Sequence, residues 1–147
     1  GQKGQNFMIW KFRTMRQSAD TSPQGVSAQQ RVTGVGHWLR ASHLDELPQL
    51  YNVIIGDMSL VGPRPDVPGY ADVLTGDDRI LLELRPGITG PATLKYKNEE
   101  SLLMEQKNPR RYNDEVIWKD KVDINRKYIE NWSLIGDIRI ILKTFFN

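Results

Sequence analysis

Pro48 limits, more than any other residue, how the middle of this 147-residue chain can fold. It stands within Leu44-Asp45-Glu46-Leu47-Pro48-Gln49-Leu50, where two adjacent carboxylates precede an apolar run. Deep inside a helix a proline loses a hydrogen bond and clashes with the turn before it, but the first turn accepts it. The sequence therefore predicts a helix that starts at Asp45, with Asp45 as N-cap, and continues over 46–55. A start at Ser42, with Ser42-x-x-Asp45 as a capping box, is the alternative and would push Pro48 further in. Leu47, Leu50, Tyr51 and Ile54 recur at helical spacing as its apolar stripe, and Gly56 closes it. A carboxylate at a helix start meets unpaired N–H groups and the positive end of the macrodipole. That placement favours an ionised Asp45 and welcomes an anionic substrate at the same end. Taken alone, the stretch is described as well by a simple cap followed by an ordinary first-turn acid.

The segments around it are set by glycine and proline. In Gly56-Asp57-Met58-Ser59-Leu60-Val61-Gly62-Pro63-Arg64-Pro65 the residues before the prolines are pushed out of the helical region, so Arg64 projects from stiff, extended backbone. Arg85-Pro86-Gly87-Ile88-Thr89-Gly90-Pro91 is a second such corner carrying an arginine. Upstream, Phe7 to Met15 reads as a strand. Alternation puts Trp10 and Phe12 in the core and Lys11 and Arg13 together on the other face. There they either present cations to an anion or lie solvated. Gln17 to Gln30 reads as a mobile loop, and Thr33-Gly34-Val35-Gly36 as a tight turn before a short helix from His37 to Ala41. Downstream, short helices are expected over 70–74 and 79–84, and a strand over 92–96. Further helices are expected over 98–106, 113–120 and 122–130. Ser133 can cap a last helix, 134–146, whose Leu134, Ile135, Ile138, Ile141, Leu142 and Phe145 share one face. With Trp132, Arg139 and Lys143 at its edges, that helix suits a membrane interface or the domain's own core.

Bulk properties exclude several classes. No cysteine is present, which removes disulfides, Cys-based zinc sites and a thiol nucleophile. His37 and His43 are the only histidines and read as surface or packing residues. No run of about 20 apolar residues could span a bilayer, and nothing resembles a signal peptide. The net charge is +2, with basic residues scattered among acids, so no nucleic-acid partner is expected. At this length, with 39% hydrophobic and 26% charged residues, one globular domain is expected.

Two acids at a helix start, with Lys11, Arg13, Arg40, Arg64, Arg85 and Lys97 in constrained places, suit phosphoryl chemistry. Cations neutralise phosphate oxygens while a carboxylate attacks or moves a proton. A Gly-x-Ser-x-Gly elbow is absent. Adjacent carboxylates are also badly placed for cleaving a glycosidic bond between them.

In order along the chain come Lys11-Phe12-Arg13-Thr14-Met15, Leu39-Arg40, Leu44 to Leu50, Gly56 to Pro65 and Arg85 to Gly90. Tyr128-Ile129-Glu130-Asn131-Trp132-Ser133 and Asp137-Ile138 follow. Together they resemble the bacterial sugar transferases, the monotopic phosphoglycosyl transferases, over nearly the whole chain. The resemblance implies an α/β fold, mostly helical with a small sheet, forming one catalytic domain over 1–147 with amphipathic interfacial helices. It implies transfer of a phosphosugar from a UDP-sugar to undecaprenyl phosphate with release of UMP, starting a surface glycan. Asp45 would be the nucleophile that carries the phosphosugar. Glu46 would bind Mg²⁺ or handle a proton; Lys11, Arg13 and Arg64 would contact phosphates; Arg40 would support the acids. The alternatives are a membrane-associated scaffold without catalysis and an anionic-ligand-binding domain. Family members usually carry a re-entrant membrane helix and a further motif before the point where this chain starts. The expectation is therefore an excised catalytic domain from the cytoplasmic face of the inner membrane. Where many relatives have tryptophan and then arginine after the Ile-Thr-Gly corner, this chain has Pro91 and then Lys97. An acid expected before the Tyr128 motif corresponds to Asp123 or is replaced by Asn125.

Overall fold

The computed structural model describes residues 1–16 and 31–146. The loop expected at 17–30 lies outside the described residues. Helices dominate: α1 (Gly34–Ala41), α2 (Gln49–Ile55), α3 (Pro91–Lys95), α4 (Glu99–Met104), α5 (Pro109–Tyr112), α6 (Trp118–Glu130) and α7 (Leu134–Phe146). Two three-residue strands, β1 (Ser59–Val61) and β2 (Gly87–Thr89), pair in parallel with Ser59 opposite Gly87 and Val61 opposite Thr89. The expected class, mostly helical with a small sheet, is the one observed.

The two Pro/Gly corners form that sheet because glycine lets their backbones meet. A Cβ on Gly87 would collide with the Gly62 amide nitrogen, and one on Gly90 with the Gly62 carbonyl. No other residue permits so close an approach. Behind the sheet sits a small core of Met58, Val61, Leu81, Leu82, Ala92, Ile117 and Val122. The long α6 supplies Val122, and the π-type turn Asn113–Ile117 that joins it to α5 supplies the fully buried Ile117. The break expected between 120 and 122 is absent: helical turns run on from α5 through the π turn into α6. Short 3-10 turns occupy Ala71–Val73 and Gly76–Leu82, near the two short helices expected there.

Several local expectations are overturned. The segment 7–15 forms no strand; among the described residues its one ladder contact is the isolated antiparallel bridge of Met15 with Val32. Trp10 and Phe12 are each 52% exposed, not core. The expected strand at 92–96 is instead α3, because Pro91 at its first position presets the helical φ. The glycines at 34–36 are not a turn. Thr33 caps α1 by accepting a hydrogen bond from the Gly36 amide at 2.9 Å, so the helix begins at Gly34. The last helix spans 134–146 as expected, with the Ser133 hydroxyl accepting from the Gly136 amide at 3.1 Å.

The largest reversal is α2. Its apolar stripe points outward: Leu47, Leu50, Tyr51 and Ile54 are all exposed, Ile54 at 81%. The side chains it buries are polar, Gln49 and Asn52. Helical periodicity identified the helix correctly and assigned its inward face wrongly.

Candidate active site

Asp45 and Glu46 do not open a helix. They sit in a separate 3-10 turn, Leu44–Glu46, one step before α2, which starts after Pro48. Pro48 takes a helical conformation at the helix boundary, φ −61°, where a missing N–H costs nothing. The turn is set off from α1 by His43, whose φ of 55° lies in the left-handed region. That is uncommon for a residue with a side chain, and histidine is among those that tolerate it. The reversal there leaves Asp45 only 2% exposed. The countercharge expected from a helix dipole comes instead from a lysine. Lys11 Nζ lies 3.1 Å from Asp45 Oδ2 and 3.4 Å from Glu46 Oε1.

Arg64 completes the cluster. It donates to Glu46 Oε1 at 2.5 Å through Nη2 and to Oε2 at 3.4 Å through Nη1. Both Glu46 oxygens are thereby engaged by one guanidinium, the paired geometry that arginine offers and lysine does not. Burial alone would raise the Glu46 carboxyl. The hydrogen bond and charge of Arg64, aided by Lys11, outweigh it and hold the group below its ordinary value. The acids are covered and the cations face outward, Lys11 40% and Arg64 46% exposed against 3% and 13% for the two carboxylates. An arriving anion meets positive charge first, with carboxylates directly beneath.

Each cation is held by a different device. Lys11 rides on the irregular segment 8–12, which α2 clamps with one buried side chain. Asn52, fully buried, donates from Nδ2 to the Met8 carbonyl at 2.7 Å and accepts from the Trp10 amide at Oδ1 at 3.1 Å. The Phe12 amide then donates to the Asp45 carbonyl at 2.9 Å. A single asparagine thus does for this segment what a neighbouring strand would otherwise do. Arg64 follows β1 between Pro63 and Pro65, on a corner fixed from behind by the Gly87 amide donating to the Pro63 carbonyl at 2.8 Å.

The remaining expected site residues fall elsewhere. Arg40 donates to Thr14 Oγ1 at 3.1 Å and to Met15 Sδ at 3.4 Å, so it anchors the end of the Lys11 segment and does not touch the acids. Arg13 is exposed and makes no hydrogen bond or ion pair with a described residue. Lys97 is exposed in the turn after α3 and is not among the cations that contact Asp45 or Glu46. Arg85 lays its guanidinium against Gly56, at the C-terminal end of α2, where a cation suits the helix dipole. His37 and His43 are exposed. Of the pair left open before the Tyr128 motif, Asp123 faces outward in ion pairs with Arg126 at 3.0 Å and Lys127 at 2.6 Å. Asn125 is the buried one.

Asn52 and His43 were not legible as site residues. The only signal for Asn52 was a polar side chain beside Tyr51 in a mostly apolar helix. Nothing in the sequence marked His43 for a left-handed turn. Among the described residues no group of three His, Cys, Asp or Glu side chains is placed to hold a metal ion. Glu46, the residue expected to hold Mg²⁺, is a carboxylate of the kind that ion takes together with phosphate oxygens and water.

Comparison with known proteins adds an independent line. The chain matches the family described as Bacterial sugar transferase over residues 1–147. It is 36% identical over 149 residues to the UDP-glucose:undecaprenyl-phosphate glucose-1-phosphate transferase of Caulobacter vibrioides, covering 98% of this chain and 52% of that protein. It is 34% identical over 152 residues to the protein of the same name in Escherichia coli, covering 99% and 30%. It is 35% identical over 144 residues to the uncharacterized sugar transferase EpsL of Bacillus subtilis, covering 98% and 63%. The chain therefore spans less than two thirds of the length of these relatives.

Proposed function

The chain belongs to the bacterial sugar transferase family, and from that premise we propose that it is the catalytic part of an enzyme moving a phosphosugar from a UDP-sugar to undecaprenyl phosphate. The observation that carries this is the pair of outward-facing cations seated on buried acids, Lys11 at 3.1 Å from Asp45 and Arg64 across both oxygens of Glu46. A diphosphate approaching that surface can replace the carboxylates as partner of Lys11 and Arg64. Exchange of Lys11 from Asp45 to a phosphate oxygen uncovers the carboxylate beside the phosphorus. An Asp45 oxygen then forms a bond to the β-phosphorus, and the bond from that phosphorus to the oxygen of UMP breaks. The acyl-phosphosugar so formed is opened by the terminal phosphate oxygen of undecaprenyl phosphate. That attack restores the Asp45 carboxylate and leaves a polyprenyl-diphosphate sugar. Charge accumulates on phosphate oxygens in both steps, where Lys11 and Arg64 act electrostatically. Glu46 would hold Mg²⁺, which when bound supplies further neutralisation of phosphate charge.

Membrane association on the cytoplasmic face belongs to the same proposal, since one substrate is a lipid. Among the described residues no helix is long and apolar enough to cross a membrane. Two apolar surfaces support contact with its face: the outward stripe of α2 with Met8 and Trp10 beside it, and the exposed α7 residues Leu134, Ile138, Leu142 and Phe145.

Intact-mass spectrometry of the full-length enzyme with UDP-sugar tests the chemistry. A phosphosugar adduct on the wild type, lost with UMP release in Asp45→Asn, is expected. An adduct that persists in Asp45→Asn removes Asp45 as the nucleophile.

A further inference from the structure

A cleft of about 60 Å³ is bordered by the Pro63-Arg64-Pro65 corner. Arg64 lines it, so the residue whose guanidinium grips Glu46 also borders the cleft. Its other polar lining residues are Asn6, Asp66, Asp72 and Asn125; Leu81, Leu82 and Pro86 are among the apolar ones. Asn125 is 6% exposed and reaches the cleft from α6. Its Oδ1 is buried and accepts no hydrogen bond. A buried acceptor left open is uncommon and costly, on the order of 1–3 kcal/mol, unless a ligand or water satisfies it. Asp66 opens to solvent, yet the wall around it pushes its carboxyl up to about 6, with Glu99 adding to the rise and Lys121 and Arg64 opposing it.

Given the transfer reaction above, on which this inference rests, we propose that this cleft is the subsite that reads the hydroxyl groups of the donor sugar. In a UDP-sugar the sugar oxygen is bonded to the β-phosphorus, so the sugar must lie next to the cation that holds that phosphate. Arg64 is the residue shared by the acid pair and the cleft. The cleft asks for donors: an amide oxygen and a carboxylate both accept from hydroxyls, and apolar lining residues suit the C–H face of a pyranose. No aromatic side chain lines it, so it lacks the stacking surface that a uracil ring would use. Its size is that of about four waters at roughly 15 Å³ each. That is room for the hydroxyl edge of one sugar ring.

The test uses full-length enzyme in membranes, with Asn125→Leu and Asp66→Asn, assayed for UMP release on UDP-glucose, UDP-galactose and their N-acetylhexosamine counterparts. Inhibition by UDP serves as the nucleotide control. Loss of a hydrogen bond specific to one hydroxyl is expected to change the ratio of kcat/KM between epimers by about tenfold, with UDP inhibition within about twofold of wild type. Asn125→Leu is also expected to melt no lower than wild type, because it removes an unsatisfied polar atom. Equal losses on every sugar, or weakened UDP inhibition in parallel, would overturn the assignment. If the wild type releases UMP from none of the four, the transfer reaction fails separately. Saturation-transfer NMR with the same UDP-sugars then decides the subsite: sugar-proton signals must fall in Asn125→Leu, and unchanged signals sink it.

Discussion

At the scale of single residues, two side chains carry more of the site than their types suggest. Asn52 holds Met8 and Trp10 of the Lys11 segment with one amide. Replacing it with alanine leaves the Trp10 N–H and the Met8 C=O without those partners. The expected cost is about 2 kcal/mol in chemical denaturation, with a raised KM for the UDP-sugar as Lys11 loosens. Asn52→Asp is expected to do worse, since it keeps an acceptor but puts a carboxylate at the position now 3.4 Å from Asp57 Oδ2. Arg64→Lys keeps the charge and loses the two-point contact with Glu46; a fall in kcat/KM of at least about tenfold is expected in the UMP-release assay. The depressed Glu46 carboxyl makes a signed prediction. Its contribution to stability is complete above its ordinary value of 4.5 and drains away as pH falls through the lower folded value. Unfolding curves of wild type and Glu46→Gln should therefore differ at neutral pH and converge in acid. A gap that stays constant down to pH 3 would contradict the ion-pair account.

At the scale of elements, the sheet and its corner decide where Arg64 points. Gly87→Ala or Gly90→Ala drives a methyl into the Gly62 backbone. Either is expected to cost roughly 3 kcal/mol or more, seen as a large drop in Tm or loss of soluble expression. The last helix is tied to the same sheet by the Thr144 and Thr89 hydroxyls at 2.7 Å. A second tie lies at the α6–α7 corner, where Asp137 accepts from the Tyr128 hydroxyl at 2.7 Å and from Trp132 Nε1 at 3.0 Å. The Tyr128-to-Asp137 signature, visible in the sequence only as a string, is thus a corner lock that sets the direction of α7. The apolar periodicity of α7 was legible, but which of its two expected destinations it takes depends on what else the core already contains.

At the scale of the whole molecule, two unconnected-looking strings of exposed apolar side chains, 8–10 with α2 and the α7 stripe, stand out against a small interior. If they meet a membrane, glutamate at Ile54 and Phe145 together should lower co-sedimentation with anionic vesicles by about tenfold or more while leaving Tm unchanged, since neither side chain is buried. Vesicle binding equal to wild type would reject that role for these faces.

By itself the sequence determined most of the helices, α3 and α5 excepted, the Pro/Gly corners, the acid pair and a set of candidate cations that included Lys11 and Arg64, since these rest on periodicity, on restricted backbone angles and on motif strings. The tertiary structure alone decided which face of α2 is buried. It also turned the acid pair into a separate 3-10 turn answered by Lys11 and not by a helix dipole. It brought Arg64 onto Glu46 while leaving Arg13, Arg40 and Lys97 off the acids. The physical reason is common to all three. Helical spacing reports that a face is apolar, not what lies opposite it, and a charge finds its partner only after distant backbone has been brought within a few ångströms.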